Sequence, residues 1–360
     1  MVHNIRFEPV ATSKLSEVDF NNIPFGRKFS DHMFVVDFDG EKWVDPRIVP
    51  YAHFMMSPAN MALHYGQSIF EGMKASKNQE GVPCLLRPEM HSKRLNASAH
   101  RMCMPELPES LFVEGLKKLI SIDSEWIPTV EGATLYVRPL MFATEEHVGV
   151  AVSKTYTFMI MTCPVGPYYT KPVRLLVEHD YVRAAVGGVG EAKTAGNYGA
   201  SLYPAQLARQ KGYDQVMWMD AKEFKYIQEA GTMNLVFVID GVVITPMADG
   251  AILKGITLDS FLHILEAKNI PFQQRLISID ELVEAYKHGK LTEAFGAGTA
   301  AVVSHVSEIT YNDLTMVLPP VSERKIGNML YNEINGLRTG TVEDTYGWIV
   351  PVNKSEFAIV

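Results

Sequence analysis

Cysteine is scarce in this chain of 360 residues, which contains three, Cys84, Cys103 and Cys163, odd in number and widely spaced. A disulfide framework or a cysteine zinc site needs paired, closely spaced thiols, so the sequence argues against both and indicates a reducing compartment. No apolar run reaches the length of a membrane span, and residues 1–30 show no secretory signal pattern. We therefore expect a cytoplasmic protein that does not act at a membrane.

Basic clusters and nucleotide-binding loops are also missing. The net charge is −8 and no stretch is rich in lysine or arginine, which argues against nucleic-acid binding. Residues 187–190 are glycine-rich, but a dinucleotide fingerprint needs glycine or alanine at position 193, where a lysine stands. We interpret this segment as a flexible loop. The histidines lack metal-ligand spacing, so we predict no metal site and structural or surface roles for His53, His64, His91 and His100.

The length of the chain predicts about two domains, and 47% hydrophobic with 21% charged residues is typical of a globular protein. Residues 163–172 contain three prolines and a glycine, which break every regular pattern. We place an interdomain linker at 163–173, between an N-terminal domain at 1–162 and a C-terminal domain at 174–360. Helical and hairpin patterns are mixed without regular βαβ alternation, so the predicted class is α+β.

Local patterns predict β-hairpins at 32–45 and 234–245, each with an Asp-Gly turn, and a strand from Ser68 to Ala75. Ser322 is predicted to cap a final helix in which Ile326, Leu330 and Ile334 recur at helical spacing. Apolar spacing and prolines at helix starts predict helices at 58–65, 88–102 and 257–268 and one beginning at Pro108. A further helix is predicted to follow Lys193 and to end near Gly212.

Several stretches offer groups that bind anions. The helix after Gly255 has unpaired N–H groups at its start, and the turn at Thr299 offers backbone N–H groups and a hydroxyl. Either stretch also fits an ordinary helix start or tight turn. Arg94, with Arg101 as the rival, can supply the cationic half of a phosphate clamp. Tyr136 and Arg138 alternate on a predicted strand, so they point to one face and can meet a carboxylate together.

Glu229 and Lys193 suggest a pyridoxal site. A carboxylate beside a pyridine nitrogen keeps that ring protonated, although an isolated glutamate also fits a solvated loop. A lysine amine attacks carbonyls only when burial or a cationic neighbour lowers its pKa. Lys193 lies among small residues with one acid, Glu191, and alone it fits a surface or loop lysine. Because the anion-binding stretches accompany it, we interpret Lys193 as the lysine that holds pyridoxal phosphate as a Schiff base.

With these stretches, the chain closely resembles the branched-chain amino acid aminotransferases, pyridoxal phosphate enzymes of fold type IV, over about residues 24–352. The resemblance implies a smaller N-terminal α/β domain and a larger, β-barrel-like C-terminal domain with helices. The matching motifs are Leu63-His-Tyr-Gly66, Phe70-Glu-Gly72, Arg94-Leu-Asn-Ala-Ser98-Ala99, Leu135-Tyr-Val-Arg-Pro139, Glu191–Ser201, Glu229-Ala-Gly-Thr-Met-Asn234, Gly255-Ile-Thr257 and Gly298-Thr-Ala300.

The resemblance implies pyridoxal 5′-phosphate as the cofactor. It assigns the Schiff base and the proton transfer to Lys193, the phosphate to Arg94, the phenolic oxygen to Tyr198 and the pyridine nitrogen to Glu229. The phosphate site is completed by Ile256, Thr257 and Thr299. The substrate carboxylates are assigned to Tyr136, Arg138 and the amides of Thr299 and Ala300. The apolar pocket is assigned to Phe25, Phe70, Tyr168 and Tyr198, with Tyr65 from the partner of a homodimer.

The implied reaction is reversible transfer of the amino group of L-leucine, L-isoleucine or L-valine to 2-oxoglutarate. A D-amino acid aminotransferase or an aminodeoxychorismate lyase of the same fold is the alternative, but neither is expected to share the Tyr136–Arg138 pattern. A non-enzymatic pyridoxal-binding protein would need a damaged site. Where some relatives have a redox-active Cys-x-x-Cys, this chain has Ala301 and Ser304, so we predict no such thiol switch. Ala195 replaces a usual glycine, and we expect activity to survive this change.

Overall fold

The computed structural model describes residues 3–166 and 171–353, which form two compact units. The first unit contains residues 3–166, 192–195 and 335–353, and the second contains 171–191 and 196–334. Two segments of the predicted domain 174–360 therefore group with the first unit instead, because their backbones pair with its strands. One of these segments carries Lys193. The ends of the predicted linker 163–173 lie in strands, and residues 167–170 are outside the described part.

The first unit contains a mixed, mainly antiparallel sheet of nine strands. A path of hydrogen-bonded neighbours runs β1-β3-β2-β8-β7-β5-β6-β18, and β4 also pairs with β7. Its strands are β1 (Arg6–Phe7), β2 (His32–Phe38), β3 (Trp43–Pro50), β4 (Ser68–Phe70), β5 (Met73–Lys77), β6 (Pro83–Leu86), β7 (Thr134–Ala143), β8 (Tyr156–Val165) and β18 (Ile349–Pro351).

The second unit is built around a closed barrel. Strands β11, β10, β9, β16, β15 and β12 pair in that order, and a β11–β12 pairing closes the ring of six. Strands β13, β14 and β17 extend the sheet. The strands are β9 (Val173–Val177), β10 (Gln215–Met219), β11 (Ile227–Ala230), β12 (Met233–Ile239), β13 (Val242–Pro246), β14 (Phe272–Arg275), β15 (Leu291–Gly298), β16 (Val302–Tyr311) and β17 (Leu314–Val317).

Seven α-helices occur in the described residues, and none combines the length and apolar character needed to cross a lipid bilayer. They are α1 (Met61–Tyr65), α2 (Pro88–Arg101), α3 (Glu109–Ile122), α4 (Ala195–Gln210), α5 (Ile256–Ala267), α6 (Ile279–Lys287) and α7 (Ile326–Thr339); short 3-10 turns lie at Leu15–Glu17, Ser124–Trp126 and Val321–Glu323.

Helix α3 shows how the sequence pattern leads to the packing of the first unit. The predicted stripe of Phe112, Leu116, Leu119 and Ile120 is completely buried in the main core. A Cβ added at Gly115 would come within 2.7 Å of the Phe34 ring on β2, so glycine allows the helix to lie directly on the sheet. Both predicted hairpins are also confirmed, as β2–β3 and β12–β13.

Two predicted elements are wrong in detail. The strand expected at Ser68–Ala75 is interrupted at Glu71-Gly72, because the Glu71 side chain is buried in a polar network instead of in the sheet core. Ser322 does not cap the last helix, since it lies in a 3-10 turn and α7 begins only at Ile326. The Glu293 carboxylate performs that function by accepting hydrogen bonds from the N–H groups of residues 325–327, at 2.7–2.8 Å.

Candidate active site

Lys193 is held by its backbone on two sides within the first unit. Its N–H donates to Ser98 Oγ of α2 at 2.9 Å, and its carbonyl accepts from the N–H of Phe70 at 3.0 Å. The hydroxyl of the next residue, Thr194, donates to the Ser68 carbonyl at 2.8 Å. The partly buried Lys193 amine lies 4.8 Å from the centroid of the Phe70 ring. Hydrogen bonds to α2 and β4 therefore fix the backbone of Lys193, which suits precise chemistry at its side chain.

Arg94 and His91, both on α2, converge on the completely buried carboxylate of Glu71. Arg94 donates from Nε and Nη2 to the two Glu71 oxygens at 2.7 and 2.8 Å. His91 Nδ1 lies 2.7 Å from Glu71 Oε2. Burial alone would raise the pKa of Glu71, but the guanidinium and these hydrogen bonds hold that pKa far below its ordinary value. Burial lowers the pKa of His91, so the imidazole is neutral and Nδ1 carries the donated proton.

Tyr136 and Arg138 meet as the strand alternation predicts. Arg138 Nη2 donates to the Tyr136 hydroxyl at 2.8 Å, and the guanidinium carbon lies 4.7 Å from the Phe70 ring centroid. The ring of Phe25 lies edge-on to Tyr136 at 5.2 Å. Arg138 Nε is buried and has no hydrogen-bond partner in the described part of the chain. A buried cationic donor without an acceptor suits an incoming carboxylate.

Within the first unit, Phe70 lies between the lysine predicted to form the Schiff base and the arginine predicted to bind a substrate carboxylate. Its ring contacts the amine of Lys193 and the guanidinium of Arg138, which in turn holds Tyr136. Tyr65, the residue assigned to the partner's pocket, ends α1 and is exposed. Tyr168 lies outside the described residues.

Lys74 is a partly buried lysine that the sequence did not single out. It pairs with Tyr136 in the register of β5 and β7, so the two side chains point to the same face. Burial, with a smaller contribution from Arg338, lowers the pKa of Lys74 to about 7. A lysine whose pKa is close to neutral pH therefore lies beside the Tyr136–Arg138 pair.

Glu229 is almost fully buried in the second unit, which contradicts the solvated-loop interpretation. Its carboxylate lies 3.0 Å from Arg183 Nε, accepts the Leu253 N–H at 2.8 Å and accepts from Asn234 Nδ2 at 3.3 Å. Glu229 and Asn234 also pair in the register of β11 and β12. These partners fix an ionised carboxylate on a rigid strand.

The start of α5 lies close to this carboxylate. Gly255 precedes the helix without a side-chain cap, which leaves the first N–H groups of Ile256 and Thr257 for another acceptor. A Cβ on Gly255 would be 1.9 Å from Asn234 Oδ1, so only glycine allows this approach. Asn234 in turn pairs with Ala297 on β15, whose strand ends at the Gly298–Ala300 turn. Thr299 and Ala300 are partly buried there, and partly buried Tyr198 lies on α4.

Sequence reasoning missed the polar partners of the predicted residues. Glu71 stood inside a matching motif without a role, because His91 and Arg94 follow it only 20 and 23 residues later. The spacing of His91 and Arg94 by three residues on one helix was the available hint. Arg183, which lies 46 residues before Glu229, had no sequence signal at all, since it is brought there by the fold.

Residues 68–309 match the family described as Amino-transferase class IV. The chain is 47% identical to branched-chain-amino-acid aminotransferase 2 of Bacillus subtilis over 352 residues, which cover 97% of each protein. The crystal structure of the Escherichia coli branched-chain amino acid aminotransferase is similar with a TM-score of 0.72 and 26% identity, covering 90% of this chain and 99% of that one.

A further crystal structure, of a T.th. branched-chain amino acid aminotransferase complexed with N-(5′-phosphopyridoxyl)-L-glutamate, has a TM-score of 0.74. It is 25% identical, and the similarity covers 89% of this chain and 98% of that one. With the family match spanning well over half of the residues, the chain belongs to the class IV aminotransferases.

Proposed function

We propose that this protein is a pyridoxal 5′-phosphate-dependent transaminase that moves the amino group of branched-chain L-amino acids to 2-oxoglutarate. The observation that carries the proposal is the contact of one aromatic ring, Phe70, with both the Lys193 amine and the Arg138 guanidinium. A reactive amine and a carboxylate-binding cation are thereby placed around one apolar surface. The identity to the Bacillus subtilis aminotransferase supports the substrate class.

The residues present fit the cofactor. Helix α5 begins after Gly255 without a side-chain cap, so the N–H groups at its start suit a phosphate. Glu229 offers the buried carboxylate that a pyridinium nitrogen needs. We assign the phosphate to Arg94, Ile256, Thr257 and Thr299, the phenolic oxygen to Tyr198, and the covalent link to Lys193. When bound, the cofactor supplies a protonated ring that accepts electron density from the substrate α-carbon.

Lys193 provides the acid–base chemistry in this account. With the cofactor bound, the Lys193 amine would accept the proton from the substrate α-carbon, and the resulting ammonium would deliver that proton to the cofactor C4′ carbon. The hydrogen bonds to Ser98 and Phe70 keep the lysine backbone still while the side chain moves. Proton transfer needs the amine within about 3 Å of the carbon, so a fixed backbone shortens the search.

Arg138 and Tyr136 orient the substrate in this account. The buried Nε of Arg138 and the Tyr136 hydroxyl offer polar contacts to a carboxylate, while Phe25 and Phe70 supply apolar ring faces. Aliphatic side chains offer only methyl groups, which such rings bind without leaving a polar group unpaired. Glutamate brings a second carboxylate to the same site, and the Arg138 guanidinium at its rim is the proposed contact.

We also propose that the protein is a cytoplasmic homodimer. In the first unit, Met55, Leu63, Val148 and Val150 are exposed apolar residues. Backbone hydrogen bonds between residues 59–61 and 145–147 hold the two segments side by side. We propose that these four apolar residues contribute to one subunit interface. Apolar surfaces of this kind commonly become buried in subunit interfaces. Exposed Tyr65 lies on the same helix as Leu63, in agreement with its proposed role in the partner's pocket. The free, unpaired cysteines agree with a reducing compartment.

A coupled assay with purified protein tests the proposed activity. Each L-amino acid is offered with 2-oxoglutarate, and D-alanine and aminodeoxychorismate are included for the two related activities. We expect L-leucine, L-isoleucine and L-valine to yield glutamate with the highest kcat/KM. Faster turnover of D-alanine, or pyruvate release from aminodeoxychorismate, would contradict the proposal.

A further inference from the structure

We propose that Glu71 is a positioning residue for the cofactor phosphate and that it acts through Arg94. The inference rests on the proposed function, in which Arg94 contacts the phosphate. It concerns a carboxylate that touches neither substrate nor cofactor in that account, because Glu71 is completely buried behind its two partners on α2.

The geometry of the pair fixes the direction of the guanidinium. Arg94 uses Nε and Nη2 to bind both oxygens of Glu71, at 2.7 and 2.8 Å. A bidentate pair holds the planar guanidinium in one orientation, whereas a single bond would leave it free to rotate. Arginine has five N–H donors, so three further donors keep directions set by Glu71. The Arg94 guanidinium is therefore oriented before the phosphate binds, which reduces the entropy lost on binding.

His91 holds the Glu71 carboxylate in one position, so Glu71 does more than balance the charge of Arg94. Its neutral ring donates Nδ1–H to the same carboxylate at 2.7 Å. The two donors are three residues apart on α2, and Ser98 follows four residues after Arg94 on the same helix face. Ser98 Oγ donates to the Arg94 carbonyl at 3.0 Å and accepts the Lys193 N–H at 2.9 Å. One helix face therefore connects Glu71 with both Arg94 and the Lys193 backbone.

Comparing ligands with and without a phosphate distinguishes a positioning role of Glu71 from general support of the fold. Glu71→Gln keeps the shape but removes the charge, so Arg94 loses its bidentate partner. If Glu71 acts through Arg94 on the phosphate, the variant weakens binding of pyridoxal 5′-phosphate but leaves the weaker binding of pyridoxal, which lacks the phosphate, unchanged. Loss of structure near Lys193 would weaken both.

The experiment measures dissociation constants of the apo-protein for pyridoxal 5′-phosphate and pyridoxal by fluorescence quenching. The variants are Glu71→Gln, Arg94→Gln and their combination, with Glu80→Gln in an exposed turn as the control. We expect Glu71→Gln to raise the dissociation constant for the phosphate form about tenfold, and less than about twofold when Arg94 is already glutamine. The pyridoxal constants and the Glu80→Gln values should equal those of the wild type.

Equal weakening of both ligands, or the same loss with and without Arg94, would overturn the inference, as would an unchanged constant in Glu71→Gln. If Glu71→Gln lacks the wild-type near-ultraviolet circular dichroism, Glu71→Asp replaces it, which retains the charge on a shorter side chain. The same selective loss of phosphate-form affinity is then required. Wild-type protein that binds neither ligand would refute the proposed function, whereas wild-type binding with unselective variants refutes only the role of Glu71.

Discussion

Single residues in the first unit leave little freedom to the groups around Phe70. Gly72 follows the buried Glu71 and lies against the Tyr136 hydroxyl, which Arg138 already holds. A Cβ at position 72 would be 2.4 Å from that hydroxyl, far inside normal contact. The glycine of this motif is therefore explained by the close approach of the Tyr136 side chain, since its backbone conformation needs no glycine.

Gly72→Ala should impair substrate binding with little effect on the cofactor. The added methyl group displaces Tyr136 and with it the Arg138 side chain, so we expect kcat/KM for L-leucine to fall about tenfold or more, mainly through KM. Steady-state kinetics and the cofactor content of the purified protein are the measurements. Gly199→Ala is the control, because its Cβ would meet nothing within 4 Å. Unchanged kinetics in Gly72→Ala would contradict the assignment of Tyr136.

His91 should make the stability of the apo-protein depend on pH. Burial lowers the pKa of His91 in the folded state below the value of about 6.5 in the unfolded state. The unfolded chain then binds more protons, so its contribution to stability is present above pH 6.5 and is lost as the pH falls. Between pH 7.5 and pH 5.5, the free energy of unfolding measured with urea should fall by about 1 kcal/mol more in the wild type than in His91→Asn. A steeper loss in the variant would contradict this sign.

At the scale of elements, side-chain partners from distant strands were the least accessible to sequence reasoning. The stripe on α3 was predictable because its residues are neighbours along the helix, and all four are buried. The start of α7 was not, because its capping carboxylate, Glu293, lies more than 30 residues earlier on β15. The same limit applies to Glu229, whose partner Arg183 is distant in sequence. Local spacing predicts a face, whereas partners from other strands require the fold.

Glu293→Gln should destabilise the protein through α7. The buried carboxylate accepts three N–H groups near the helix start, where a negative charge is also favoured by the helix dipole. We expect the free energy of unfolding to fall by about 1–2 kcal/mol, measured by urea denaturation. Ser322→Ala is the matched control and should change it by less than about 0.5 kcal/mol. The reverse order would restore Ser322 as the cap.

At the scale of the whole molecule, the α+β class with a barrel was predictable from the resemblance, and the domain limits were not. Lys193 was expected in the C-terminal domain, yet its segment groups with the first unit because its backbone bonds to Phe70 and Ser98. No pattern within residues 191–201 reports such pairing. The resemblance was sufficient to name Phe25, Phe70, Tyr136 and Arg138 as candidates, and the structure brings these four together.

Disrupting the apolar surface of the first unit should give monomers. Leu63→Asp combined with Val150→Asp places two charges among the exposed apolar residues Met55, Leu63, Val148 and Val150, which a second copy is proposed to cover. Sedimentation velocity should show a dimer for the wild type and a monomer of low activity for the variant. Charge reversals at two exposed lysines, Lys42→Glu and Lys222→Glu, serve as the control and should leave the dimer intact. A monomeric wild type would contradict the homodimer.

The most direct measurement concerns the covalent link at Lys193. The protein is incubated with pyridoxal 5′-phosphate, reduced with borohydride, digested and analysed by mass spectrometry. We expect a phosphopyridoxyl group on the peptide containing Lys193, loss of the visible absorbance band on reduction, and neither signal in Lys193→Ala. Stoichiometric labelling of another lysine, such as Lys74, with Lys193 unmodified, would contradict the central claim.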